Sequence, residues 1–189
     1  MPAKKTINDI RIKTERLELI AATVEHLQAD MRDHAKLSRM IEAQVPRAWP
    51  PALMVDAYDY FLQQVGDHPH WQVFWYWVCP DPITGKRVLI GNGGFKAIPD
   101  ESGMVETGYS VMPEFHGHGY ASEAERALID WAFTDPAVTR VEAETTPDNL
   151  ASQRVLEKNY LRLTGAGFDE GSIRFVITRR EYEESGQMR

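Results

Sequence analysis

The stretch Val105 to Phe133, VETGYSVMPEFHGHGYASEAERALIDWAF, decides the fold. From Met104 to Met112 apolar and polar residues alternate, so Val105, Thr107, Tyr109 and Val111 line one face of a strand. Pro113 stops the ladder because it has no N–H to donate. The period then lengthens: Ala121, Ala124, Leu128 and Trp131 recur at three- and four-residue spacings, which predicts an amphipathic helix from Ser122 to Phe133, ended by Asp135-Pro136. Between strand and helix lies His116-Gly117-His118-Gly119-Tyr120-Ala121. Two glycines let a backbone approach a ligand closely, and the first turn of a helix carries unpaired N–H groups at the positive end of its dipole. Together they predict an anion site over His116 to Ser122.

The residues alone leave two readings of this turn open. One is a plain strand-to-helix connection in which glycine relieves strain. The other is a dinucleotide fingerprint with Gly117 and Gly119 as its first glycines, although Ser122 stands where the third belongs and only one strand-helix-strand unit can be read. A third reading comes from resemblance. GYSVMPEFHGHGYASEA resembles the acetyl-CoA loop of the GCN5-related N-acetyltransferases, Gln/Arg-x-x-Gly-x-Gly/Ala, with His116, Gly119 and Ala121 at its first, fourth and sixth positions. Thr14-Glu15-Arg16-Leu17-Glu18-Leu19 resembles the opening strand of the branch that holds the ribosomal-protein N-terminal alanine/serine acetyltransferases. Ile90-Gly91-Asn92-Gly93-Gly94-Phe95 resembles the strand before the cofactor strand. Pro147 to Ser152 with Val155 to Lys158 resembles that branch's P-x-N-x-x-S-x-x-V-L-x-K helix.

Outside these blocks the chain reads as one soluble globular domain over residues 1–189. Its 26% charged residues and net charge of −7 come without a basic block, which argues against nucleic-acid binding and mildly favours cationic partners. No apolar run suits a membrane span, and Lys4-Lys5 is not followed by a signal-peptide core, so the expected location is cytoplasmic, with no membrane partner. Cys79 is the single cysteine and cannot form an internal disulfide; it reads as a core residue. A homodimer is left open.

In chain order, Ile10 to Ala22 is expected as a strand, and Thr23 as the cap of a helix with Leu27, Met31, Ala35 and Leu37 inward. The Pro46–Pro51 segment cannot be helical, and Trp49 within it reads as a packed loop anchor. A second helix is predicted over Asp56 to Val65. Trp71 to Cys79 is a strand buried on both faces, and Pro80 to Gly85 turns it into a returning strand, Lys86 to Ala97. After the Ser122 helix come a strand at Val138–Thr145 parallel to the cofactor strand, a helix from Asp148 or Asn149 to Lys158, and strands at 162–167 and 173–178. The fold class is mixed α/β, a mostly antiparallel twisted sheet with one parallel pair and flanking helices.

The resemblance implies the function: transfer of an acetyl group from acetyl-CoA, as co-substrate, to a primary amine. The branch points to the N-terminal α-amino group of a protein or peptide; a polyamine, an aminoglycoside or a non-catalytic acyl-CoA sensor are the alternatives. It further implies that the parallel strands splay to admit pantetheine. The Val111 backbone pairs with it or with the acetyl carbonyl. The amides of His116, Gly117, His118, Gly119, Tyr120, Ala121 and Ser122 hold the pyrophosphate, and Asn149 contacts the pantetheine arm. Acetyl transfer needs a base for the amine and a donor for the leaving thiolate. Glu106 is the expected base, on the strand face opposite Val105 and Thr107, where partial burial raises a carboxyl's pKa. Asp169 and Glu170 are second candidates. Leu156 stands where many members carry a tyrosine acid; the resembled branch uses a serine, matched by Ser152. The His116/His118 and His68/His70 pairs lack the helical spacing and cysteine partners of common zinc sites, so no metal is expected.

Overall fold

Ile10–Ala22 is two strands rather than one. In the computed structural model, which describes residues 10–81 and 83–186, β1 (Arg11–Lys13) and β2 (Glu18–Ala21) pair antiparallel with Arg11 opposite Ile20. The reversal is built by Thr14: its N–H donates to the Leu17 carbonyl (2.9 Å), and its Oγ1 accepts from the Leu17 N–H (3.0 Å). The expectations for Lys4-Lys5 and for Pro82 in the hairpin turn lie outside the described residues.

The chain packs as two compact units. The first consists of the described part of Met1–Asn92 with Ser110–His116. Thr23 caps α1 (Val24–Arg32) as expected, accepting from the His26 N–H at 3.2 Å. The helix does not run on. Asp33 ends it and caps a separate α2 (His34–Met40), its Oδ1 accepting from the Lys36 N–H at 2.9 Å. Of the residues expected inward, Leu27 and Leu37 are buried while Met31 and Ala35 are exposed. A short 3₁₀ helix (Ala52–Ala57) leads into α3 (Tyr58–Asp67). Trp49 is indeed a packed anchor: it is buried, and its indole N–H donates to buried Asp30 at 2.7 Å. The Tyr76 hydroxyl donates to the other Asp30 oxygen at 2.9 Å. These bonds offset part of the burial that pushes the Asp30 carboxyl up. β3 (Phe74–Pro80) is buried from Phe74 through Cys79 and pairs antiparallel with β2; β4 (Arg87–Phe95) follows.

The second unit is Gly93–Tyr109 with the described part of Gly117–Arg189. The first six residues of β5 (Met104–Val111) belong to it, and three of them pair in parallel with β6 (Arg140–Thr145), Val105 opposite Val141 and Glu106 opposite Glu142. The crossover is α4 (Tyr120–Ala132), two residues longer at its start than the periodicity predicts, because Gly119 takes the N-cap position at φ 81°. Then come α5 (Leu150–Lys158), β7 (Arg162–Ala166) and β8 (Ile173–Thr178). The charged segment that follows forms α6 (Arg179–Glu184), capped by a reciprocal Thr178–Glu181 box. Val105, Leu128, Ile129, Val141, Phe175 and Ile177 are buried in this unit.

The eight strands follow the order β1-β2-β3-β4-β5-β6-β8-β7, with β5–β6 parallel and β1–β2, β2–β3, β6–β8 and β7–β8 antiparallel. The mixed α/β class read from the sequence holds.

Candidate active site

The glycine-rich turn is open backbone. His116 through Gly119 are exposed, and Gly117 and Gly119 lie at φ 77° and 81°, conformations that side-chain-bearing residues rarely adopt. A Cβ on Gly117 would meet nothing within 4 Å, so it is the φ angle that calls for glycine there. Helix α4 starts without a side-chain cap, and its first-turn N–H groups present the positive end of a 13-residue helix. That is a fit for a pyrophosphate. The turn is also anchored: buried Asn159 donates from its side-chain amide to the Ser122 carbonyl (3.1 Å) and to the Val155 carbonyl (3.0 Å), joining α4's first turn to α5. The ring of His116, expected near phosphate, puts Nε2 2.8 Å from the Val111 carbonyl, so that this nitrogen carries the proton and donates it. His118 stacks on Tyr120 with ring centres 5.7 Å apart.

Glu106 lies half-buried on β5, facing Lys96. The ammonium Nζ is 2.5 Å from Glu106 Oε1 and 4.0 Å from Asp169 Oδ2. Burial pushes the Glu106 carboxyl up and outweighs the opposing pull of Lys96; the negative charges of Glu144 and Asp169 add to the rise. Asp169 is thereby brought to the same cation as Glu106. Glu144 fixes the turn that carries Asp169, accepting from the Phe168 N–H (2.6 Å), the Asp169 N–H (3.2 Å) and the Ser172 hydroxyl (2.6 Å). Against the upward push of its partial burial, those donors hold the Glu144 carboxyl below its ordinary range.

The opposite face of β5 meets α4 and α5. Thr107, buried, donates to the Gly94 carbonyl at 2.9 Å and lies 2.9 Å from Oε2 of fully buried Glu125. Burial pushes the Glu125 carboxyl up to about 8, with the Thr107 contact opposing. Two residues on, the Tyr109 hydroxyl donates to Ser152 Oγ at 3.2 Å. Ser152 occupies the first turn of α5, where its N–H donates to the cap residue Asn149 at 3.1 Å. Leu156 is buried one turn further on. Sequence reasoning missed Lys96, Tyr109, Glu125 and Asn159. The strand alternation did place Tyr109 on one face with Thr107, but its partner lies 43 residues away on another element.

Among the described residues no group of three or more His, Cys, Asp or Glu side chains could hold a metal ion, and no helix is long and apolar enough to cross a membrane.

Known proteins resemble the chain in sequence and in fold. A Bacillus subtilis (strain 168) protein described as an uncharacterized N-acetyltransferase, YjdG, is 28% identical over 149 residues, 79% of this chain and 88% of that one. The ribosomal-protein-S5-alanine acetyltransferase of Vibrio fischeri superposes with a TM-score of 0.64 at 18% identity, covering 92% of this chain and 99% of that one. The aminoglycoside acetyltransferase AAC(6')-Ib, solved with coenzyme A, superposes with a TM-score of 0.59 at 18% identity, covering 90% and 99%. At those identities the two structures share the fold alone. Residues 16–162 match the acetyltransferase (GNAT) domain, and the chain belongs to that family as an acetyl-CoA-dependent N-acetyltransferase.

Proposed function

We propose that the enzyme acetylates the N-terminal α-amino group of a protein or peptide, with Glu106 as base and Ser152 as the donor to the leaving thiolate. The observation that carries this reading is the Lys96 ammonium held against Glu106, which marks the carboxylate's surroundings as a place that accepts an alkylammonium. Asp169 adds a second negative charge there, and the net charge of −7 favours a cationic acceptor in general. A partly buried carboxylate countered by a lysine is a modest base. It suits an α-amino group, with an intrinsic pKa of about 8, better than a lysine side chain at about 10.4.

In this reading the amides of Gly117 to Ser122, with His116, hold the pyrophosphate of acetyl-CoA. Asn149 runs along its pantetheine arm. The neutral amine attacks the thioester carbonyl and forms the C–N bond, and its proton passes to Glu106 directly or through water. The tetrahedral intermediate then expels the CoA thiolate as the C–S bond breaks, and the Ser152 hydroxyl donates to the sulfur. Much of the rate comes from holding the two reactants in register.

The test is a competition for limiting acetyl-CoA among an unblocked N-terminal peptide, a lysine peptide blocked at its N-terminus, spermidine and an aminoglycoside. The unblocked peptide is expected to take most of the label. Preference for any of the other three overturns the acceptor and leaves acetyl transfer standing.

A further inference from the structure

We infer that Tyr109 is a positioning residue for the thiolate-leaving step: it fixes the direction in which the Ser152 hydroxyl donates. The inference rests on the reading of Ser152 as the donor to sulfur. A serine hydroxyl has one proton and two lone pairs, and when unconstrained it rotates to suit whatever is nearby. Here its surroundings constrain it. The Tyr109 hydroxyl lies 3.2 Å from Ser152 Oγ, and the Ser152 N–H is engaged by Asn149 Oδ1 at 3.1 Å, which holds the residue in the first turn of α5. A phenol is a stronger donor and a weaker acceptor than an aliphatic hydroxyl, so the proton between the two oxygens belongs to Tyr109. Burial pushes the Tyr109 hydroxyl above its ordinary pKa against the opposing Ser152 contact, so it remains a neutral donor across the working pH range. Ser152 thus spends a lone pair on Tyr109 and keeps its own proton for a partner on another side.

The arrangement also bears on where a tyrosine acid could come from. Leu156 leaves none on α5, and Tyr109 supplies a phenol from β5 instead. It does not act as the acid itself: a hydroxyl with a raised pKa holds its proton more tightly, which opposes proton release to a thiolate. Its contribution is to polarise and aim Ser152, and a hydrogen-bonded chain strengthens its terminal donor. The first turn of α5 adds the positive end of a helix dipole beside the developing negative charge.

The experiment is a double-mutant cycle on the single-turnover rate of acetyl transfer, using saturating acetyl-CoA and whichever amine of the competition panel turns over fastest. Tyr109→Phe keeps the ring and removes the donor; it is expected to lower the rate about tenfold while the KM for acetyl-CoA stays within about twofold, the scale of one lost hydrogen bond. In a Ser152→Ala background the same Tyr109→Phe change is expected to alter the rate less than twofold, because the group it orients is gone. An equal loss in both backgrounds, or a full rate for Tyr109→Phe where Ser152→Ala is slow, overturns the inference and spares the serine reading. A full rate for Ser152→Ala overturns the serine reading and this inference with it. Urea unfolding of each variant separates a rate loss from a folding defect.

Discussion

Glu125 offers a sharp test of the electrostatics beneath β5. Its carboxyl is fully buried, and the geometry around it dictates its protonation. Thr107 has one hydroxyl proton, and the Gly94 carbonyl at 2.9 Å, which can only accept, takes it. The same hydroxyl is 2.9 Å from Glu125 Oε2, and with one proton for two acceptors it offsets only part of the cost of burying a charged carboxylate. This agrees with burial pushing the group from 4.5 up to about 8. Below pH 4.5 the folded and unfolded chains both hold the proton. Between 4.5 and about 8 only the folded chain holds it, so stability from this group is lost as pH rises, by about 1.4 kcal/mol per pH unit. Above that window both are ionised. Glu125→Gln replaces the O–H donor with an N–H donor that cannot ionise. At pH 5 the variant is expected to be less stable than the wild type by about 1–2 kcal/mol, since its second amide hydrogen has no partner. From pH 5 to 7.5 the difference should move in the variant's favour by about 3 kcal/mol. Urea unfolding of both proteins across that range measures it. Stability curves that stay parallel from pH 5 to 7.5 would refute the reasoning, because they would mean that Glu125 ionises as readily folded as unfolded.

Two further outcomes are expected. If Glu106 is the base, the wild-type rate falls in acid as its carboxylate takes a proton. Glu106→Gln then lowers the plateau by roughly 10²-fold or more. Lys96→Met removes the cation that opposes burial, so the acid limb moves to higher pH; a full rate for Glu106→Gln across pH would instead shift the base to Asp169 or Glu170. Acetyl-CoA at 100 times its Kd is expected to stabilise the fold by about 2.7 kcal/mol. Gly119→Val forces a branched residue onto φ 81° at the start of α4, at a cost of about 1–2 kcal/mol without ligand, and removes most of that ligand gain; a folded variant with the full gain would place the pyrophosphate elsewhere.

The elements that could be read in advance are those whose signals are local. The alternation of β5, the change of period into α4, the alternation of β6 and the Asn149 cap each lie within a dozen residues. The reversal at Thr14–Leu17 was missed because it uses neither glycine nor proline; a threonine side chain and one backbone bond make it. The break at Asp33 was missed because the apolar spacing runs straight across it, and only the competing cap ends the helix. The carboxylate cluster was half legible. Glu106 and Asp169 stood out separately, but their common partner, Lys96, depends on how two strands and a distant turn come together. Tyr109 with Ser152, and Asn159 with Ser122, are likewise long-range pairs that no local period encodes.

The period of two in β5 separates the tasks that the proposed chemistry requires. Glu106 points to Lys96 and Asp169, whereas Thr107 and Tyr109 point to α4 and α5. A base beside a leaving-group donor would risk a direct hydrogen bond between them, lowering the basicity of the one and occupying the proton of the other. Glu106 and Tyr109 stand three residues apart on opposite faces of β5, and Ser152 lies on α5 against the Tyr109 face, so that contact is avoided. Gly108 continues the Glu106 face with no side chain, is exposed, and would meet nothing within 4 Å if it carried a Cβ, so the approach along that face stays open. The parallel pairing of Val105 with Val141 and Glu106 with Glu142 sets the register. A slip of one residue would bury Glu106 against α4 and turn Thr107 toward Lys96, exchanging every role at once. Buried Val105 and Val141, which pack only in the native register, therefore hold Glu106 and Tyr109 on their faces as well as the sheet.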